Sequence, residues 1–163
     1  MGFSSAGDVR AAGINIGSPV VYFPKTQALS ADRVAGTSID DRAGCAVLLE
    51  VARHLAERTA GPPVDIVFTV QEEFNLRGAL PMAQQLCPDI AIQLDLILAT
   101  DTPDMQGRGD VALGAGPAMS MFSFHGRGTL NGVIPHPRLV ALFDRVAHDL
   151  SLPLQRSAHI GAL

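Results

Sequence analysis

The sequence predicts an α/β fold, a three-layer α/β/α sandwich around a mixed, mainly parallel sheet. Two observations carry this. Short runs rich in β-branched residues alternate with stretches whose apolar residues recur at helical spacing, and those runs are nearly continuous in apolar character, as in strands covered on both faces. A third feature fits the same plan. The acidic clusters Asp40-Asp41, Glu72-Glu73 and Asp95 with Asp101 each follow or end an apolar run, so the fold would gather them at one edge of the sheet.

In chain order, Val20, Val21 and Phe23 read as a short strand in an opening segment marked by Gly and Pro, and residues 26–37 as a polar loop. From Asp41 to about Arg58, the residues Cys45, Leu48, Leu49, Ala52 and Leu55 fall on one helical face, which predicts a buried stripe with Cys45 as a small apolar member. Residues 64–70 form a β-branched run ending at Gln71, a strand. A shorter helix follows over residues 78–86, ended by Pro88. Residues 90–98 and 118–124 read as two further apolar strands. Leu139, Leu142, Phe143, Val146, Ala147 and Leu150 then make the inner stripe of a closing helix.

Composition sets the bounds. A chain of 163 residues with 47% apolar content fits one domain with a core of its own. Charged residues make up only 17% and the net charge is −4, without a basic run, which argues against a nucleic-acid or acidic-lipid surface. No apolar stretch approaches the roughly 18 residues of a membrane span, and the start Met1-Gly2-Phe3-Ser4-Ser5 lacks the pattern of a signal peptide, so a cytoplasmic location is expected. Cys45 and Cys87 lie far apart with no CxxC partner, which leaves no sequence basis for a disulfide or a zinc-thiolate site.

The acidic clusters carry the chemistry. Crowded carboxylates repel one another, and a divalent cation is the commonest physical reason to keep them together. Glu72 and Glu73 stand just past the carboxyl end of the 64–70 run, where open α/β sheets place ligands. Asp40 and Asp41 precede a helix, so an ordinary N-cap would account for one of them; it would not account for three clusters. Neighbouring glutamates can divide two tasks, one binding the metal while the other accepts a proton from a water activated beside it. A solvated loop pair is the plain alternative for that dipeptide.

At this point the residues carry a resemblance. The stretch Thr37-Ser38-Ile39-Asp40-Asp41-Arg42-Ala43-Gly44, then Phe68-Thr69-Val70-Gln71-Glu72-Glu73 with Arg77-Gly78-Ala79, then Ile92-Gln93-Leu94-Asp95 and Thr100-Asp101-Thr102-Pro103 resembles the tetrahedral or deblocking aminopeptidases, co-catalytic two-metal metallopeptidases. The resemblance implies that Asp40 bridges two divalent ions, zinc or cobalt, that Glu73 binds one and Asp95 the other, and that Glu72 is the general base. Asp101 is the alternative to Asp95. It also implies a cis peptide between Asp40 and Asp41, peptide substrates, and assembly as a homo-oligomer. Residues 1–22 resemble the remnant of an inserted β-domain with its exit strand, and residues 23–163 an incomplete catalytic domain.

The departures matter too. The family's metal-binding histidines belong to segments before and after the motifs found here, which makes weak activity, or none, the expectation for this chain alone. His54 and His148 read as surface residues on helices. His125 and His136 lie in a loop-rich stretch and take no family role. Two other functions compete: a catalytically silent assembly subunit, and a glycoside hydrolase pairing Glu72 or Glu73 with an aspartate. The second is disfavoured because sugar sites use aromatic stacking faces, and the chain has one Tyr and no Trp.

Overall fold

In the computed structural model, which describes residues 2–30, 32–124 and 132–160, the chain separates into two units, Met1–Arg42 and Ala43–Leu163. The first opens with α1 (Ala6–Ala11). Ser5 starts it as an extended N-cap whose hydroxyl accepts from the Asp8 amide at 3.1 Å, satisfying one of the donors a helix start leaves open. The strand expected at residues 20–23 is not formed, and Val20, Val21 and Phe23 are exposed. Pairing occurs instead in the stretch expected to be loop. β1 (Thr26–Ala28) and β2 (Val34–Gly36) form an antiparallel hairpin with Gln27 opposite Ala35. Local backbone closure decides this: the Leu29 amide donates to the Arg33 carbonyl at 2.7 Å, and Asp32 takes the left-handed conformation that turns the chain.

α2 (Ile39–Ala56) begins in the first unit and continues into the second. Asp40 and Asp41 are themselves non-helical, with φ/ψ of −78°/111° and −114°/49°, and the peptide between them is cis, as the resemblance implied. Regular helix follows them, and Gly44 is buried in its first turn. Leu48, Ala52 and Leu55 are half-buried, whereas Leu49 and Cys45 are exposed, so the expected stripe is partly covered and Cys45 is not the interior residue foreseen.

In the second unit, α3 (Ala79–Leu86) ends at a left-handed Cys87 whose amide donates to the Ala83 carbonyl, and Pro88 cannot extend it. β3 (Ala118–Phe124) spans the predicted residues. It is the centre of a three-stranded mixed sheet, antiparallel to β4 (Gly132–Val133) and parallel to β5 (Gln155–Ile160). The parallel pair needs a crossover, which α4 (Pro137–Asp149) supplies. α4 starts at His136, whose Nδ1 accepts from the Arg138 amide at 3.2 Å, with Pro137 at the first helical position, where a missing N–H costs nothing. The outcome is an α/β chain with a mixed sheet.

Two predicted strands are absent. Residues 64–70 and 90–98 form no strand among the described residues. Apolar β-branched sequence supplies the side-chain pattern of a strand but not the second backbone that a ladder requires. Burial follows suit: Val111 is the one buried apolar side chain among the described residues, and the stripe of α4 leaves Leu142, Phe143, Val146 and Leu150 exposed.

Candidate active site

The Glu72-Glu73 pair sits on a loop closed at its neck. Where the 64–70 run ends, the Gly78 amide donates back to the Val70 carbonyl at 3.0 Å, and the Arg77 amide to the Gln71 carbonyl at 3.3 Å. Inside that neck, Glu72–Phe74 makes one 3₁₀ turn, flanked by left-handed Gln71 (φ 56°) and Asn75 (φ 66°), with Leu76 also at positive φ (53°). Three non-glycine residues in that region mark a backbone held by its surroundings, a condition that clusters at functional sites. The neck tolerates only glycine at position 78, because a Cβ there would lie 2.6 Å from both the amide nitrogen and the carbonyl oxygen of Val70. The Arg77 guanidinium lies 5.8 Å from the centre of the Phe74 ring, adding a cation–π contact across the turn.

Consecutive residues of a 3₁₀ turn are rotated by about 120° about its axis. Glu72 and Glu73, both exposed, therefore leave the turn from different backbone positions.

Asp95 is held elsewhere in the same unit, its Oδ1 accepting from the Leu96 amide at 2.7 Å. It lines a cavity of about 300 Å³ whose walls include Leu94, Leu113, Pro117 and Gln155. The far wall is fastened by side chains. Gln155 accepts from the Ala112 amide at 2.9 Å and donates to the carbonyls of Ala112 (3.1 Å) and Gly116 (2.8 Å). Thr100 bonds Val111 through its amide and its hydroxyl. Asp101, the alternative to Asp95, accepts from the Leu113 amide at 3.2 Å, so one of its oxygens is engaged in holding this loop.

Asp40 belongs to the first unit, at the kink before the regular part of α2. Asp40, Glu73 and Asp95 are all exposed and offer only carboxylate oxygen, a donor chemistry that suits divalent zinc, cobalt and manganese alike. Among the described residues, no group of three or more His, Cys, Asp or Glu side chains stands gathered around a possible metal position. The fit to a divalent ion therefore rests on donor chemistry. Of the histidines, His54 and His148 are exposed on α2 and α4, as expected. His136 caps α4, and His125 lies outside the described residues. Gly78 and Thr100 entered the sequence reading only as members of the quoted motifs, without a role of their own, and Gln155 did not enter it.

Comparison with known proteins places these elements in a wider group. The family model described as M42 glutamyl aminopeptidase matches residues 1–162. The SgcX protein of Escherichia coli (strain K12) is 36% identical over 163 residues, covering all of this chain but 44% of that protein. The lysyl aminopeptidase of Pyrococcus furiosus is 32% identical over 155 residues, or 95% of this chain and 41% of that one. Among solved structures, the TET aminopeptidase of Thaumarchaeota archaeon SCGC AB-539-E09 superposes with a TM-score of 0.77 at 28% identity, over 99% of this chain and 44% of that chain. This chain thus spans less than half the length of the relatives it matches.

Proposed function

The chain belongs to the M42 glutamyl aminopeptidase family, and from that premise we propose that it carries the carboxylate part of a metal-dependent aminopeptidase site, one that removes amino-terminal residues from peptides. Asp40, Glu73 and Asp95 would hold two divalent ions, zinc or cobalt, Asp40 serving both, Glu73 one and Asp95 the other. Glu72 is the general base. The observation that supports this most is the loop at residues 70–78, which carries two adjacent exposed carboxylates on a turn whose neck admits only glycine. The finer parts of the reading are a three-layer sandwich, residues 1–22 as remnant of an inserted β-domain, a cytoplasmic location and homo-oligomeric assembly. No helix among the described residues is long and apolar enough to cross a membrane.

When bound, the ions supply Lewis-acid polarisation of the peptide carbonyl and lower the pKa of water toward about 7. Glu72 takes the proton from the attacking water and returns it to the leaving amine, a shuttle that requires its carboxylate to stay within hydrogen-bond reach of both atoms. The closed neck between Val70 and Gly78 fixes the backbone that carries Glu72, which supports this role. Glu73, the next residue on the same turn, is left to the ion.

The test is hydrolysis of leucyl- and glutamyl-nitroanilide with added cobalt or zinc, beside metal titration. For the 163-residue chain, low turnover is expected. Glu72→Gln should abolish it while leaving metal binding intact, and Asp40→Asn and Glu73→Gln should each weaken metal binding. Turnover unchanged in Glu72→Gln would remove the base from the reading, and metal binding indifferent to both ligand variants would favour a silent assembly subunit.

A further inference from the structure

The first unit holds a cavity that the chemistry assigned to the carboxylates does not use. Its volume is about 360 Å³, and its lining includes Tyr22, Lys25, Gln27, Gly36, Thr37 and Ser38, so it lies against the β1–β2 hairpin and the segment leading to Asp40. The hairpin fixes its wall. The Thr37 amide donates to the Lys25 carbonyl at 3.3 Å and the Thr37 hydroxyl to the Phe23 carbonyl at 3.4 Å, while a Cβ at Gly36 would press on the Thr26 hydroxyl at 3.0 Å and the Lys25 carbonyl at 3.1 Å. Ser38 completes the lining in the left-handed region (φ 58°), a conformation that costs a non-glycine residue free energy and clusters at ligand sites. Charge on this wall has one sign. Lys25 is the chain's only lysine and the one charged side chain of the lining, and it makes no ion pair or side-chain hydrogen bond among the described residues. An ammonium offers three donors and no acceptor, and the Tyr22 and Ser38 hydroxyls and the Gln27 amide add donors beside it, a set that suits an oxyanion.

We propose that this cavity takes the terminal carboxylate of a short peptide, an inference that rests on the peptidase reading and names a substrate class for it. In that reading the first peptide bond of the substrate lies at the ions, which leaves the opposite end to be held by the chain itself. The spacing suits a short peptide. Thr37, bonded through its amide to Lys25, precedes Asp40 by three residues, a span of at most about 11 Å between their Cα atoms. An extended peptide covers about 3.3 to 3.6 Å per residue, so three or four residues match that span. Charge selects the group. One lysine answers the single charge of a carboxylate, whereas a phosphate approaches a charge of about −2 and would call for more than one cation. With a net charge of −4 the chain as a whole repels a carboxylate, so binding one needs a local cation, which the lining holds in Lys25.

A single lysine makes the test selective. Lysine-specific carbon-13 labelling gives one side-chain ε-methylene signal, followed by NMR as trialanine or trialanine amide is added to the 163-residue chain with zinc present. The free acid should shift the Lys25 signal together with the Thr37 and Ser38 amides, and bind about 3- to 10-fold more tightly than the amide. The sign is diagnostic, because the net charge of −4 by itself favours the cationic amide. Lys25→Gln should erase the preference, read at the Thr37 and Ser38 amides, and Lys25→Arg should keep most of it. Equal affinity for acid and amide would overturn the proposal, as would a preference that survives Lys25→Gln. So would inorganic phosphate, or the amidated peptide Ala-Asp-Ala, binding as well as trialanine, since the occupant would then be another anion or an acidic side chain. Failure of the peptidase reading shows as turnover indifferent to Glu72→Gln, whereas failure here shows in binding at Lys25, so the two are distinguishable.

Discussion

Gly78→Ala should open the loop that presents Glu72 and Glu73. The added Cβ would stand 2.6 Å from the nitrogen and 2.6 Å from the oxygen of Val70, with the Val70 Cγ2 at 3.3 Å. Comfortable contact begins near 3.5 Å, so the backbone must separate by roughly 0.9 Å. Neither Val70 atom can rotate out of the way, because both are main chain. The Gly78 to Val70 hydrogen bond, now 3.0 Å, is therefore lost. Overpacking costs about 1 to 3 kcal/mol and the lost bond about 1, giving about 2 to 4 kcal/mol against the closed loop. Exchange at the amides of Leu76, Arg77 and residue 78 should accelerate by at least about 30-fold, the equivalent of 2 kcal/mol. Gly7→Ala is the control. Its Cβ would meet only the Ser5 hydroxyl at an ordinary 3.5 Å, and helix interiors prefer alanine by about 0.5 to 1 kcal/mol. Exchange in Gly78→Ala within a factor of about 3 of the unmodified chain would refute the argument that the neck needs glycine.

Other substitutions probe the remaining pieces. Gln155→Glu keeps an acceptor for the Ala112 amide but turns a carboxylate toward the carbonyls of Ala112 and Gly116, so it should cost more than Gln155→Ala, about 2 to 3 kcal/mol or more, read as faster exchange at Ala112. Asp101→Asn retains a carbonyl oxygen for the Leu113 amide and should leave divalent-ion affinity unchanged, whereas Asp95→Asn should weaken it; the reverse result in metal titration would transfer the ligand role to Asp101. His136→Ala removes the acceptor at the start of α4 and should cost about 1 kcal/mol of helix stability, seen as fraying of the first turn by exchange at Arg138.

What the sequence made legible was local. β3 was placed residue for residue, and α2, α3 and α4 within two residues or so, because apolar period and Pro88 are signals contained in the segments themselves. The hairpin of β1 and β2 was missed because its strands are three residues long and mostly exposed, so it shows no alternation and depends on the Leu29 to Arg33 closure. β5 was missed as well; Gln-Arg-Ser-Ala-His-Ile carries no apolar run, and its pairing with β3 supplies what its composition does not. At residues 64–70 and 90–98 the error ran the other way. There the side-chain pattern was read correctly as strand-like, and no ladder partner was read because none is visible in a pattern.

The candidate site follows the same division, and that bears on how it holds its shape. Its pieces are fastened by short-range closures: Val70 with Gly78 through backbone around the glutamates, and Thr100 and Asp101 with Val111 and Leu113, partly through side-chain oxygens, beside the Asp95 cavity. Closing such short loops costs little chain entropy, since the cost grows only with the logarithm of loop length. Little apolar burial is therefore needed to keep each piece in form, which suits a unit whose one buried apolar side chain among the described residues is Val111. Gln155 is the exception, reaching Ala112 and Gly116 from the start of β5. Its three bonds tie the Asp95 cavity wall to the β3–β5 pairing, so that loop depends on the sheet in a way the glutamate loop does not. Mild denaturant should accordingly release Ala112 together with β3 and β5, while the Leu76 and Arg77 amides exchange on their own schedule. A single shared transition for both loops in native-state exchange would show that the closures are not local, and that the glutamate loop too is held by the sheet.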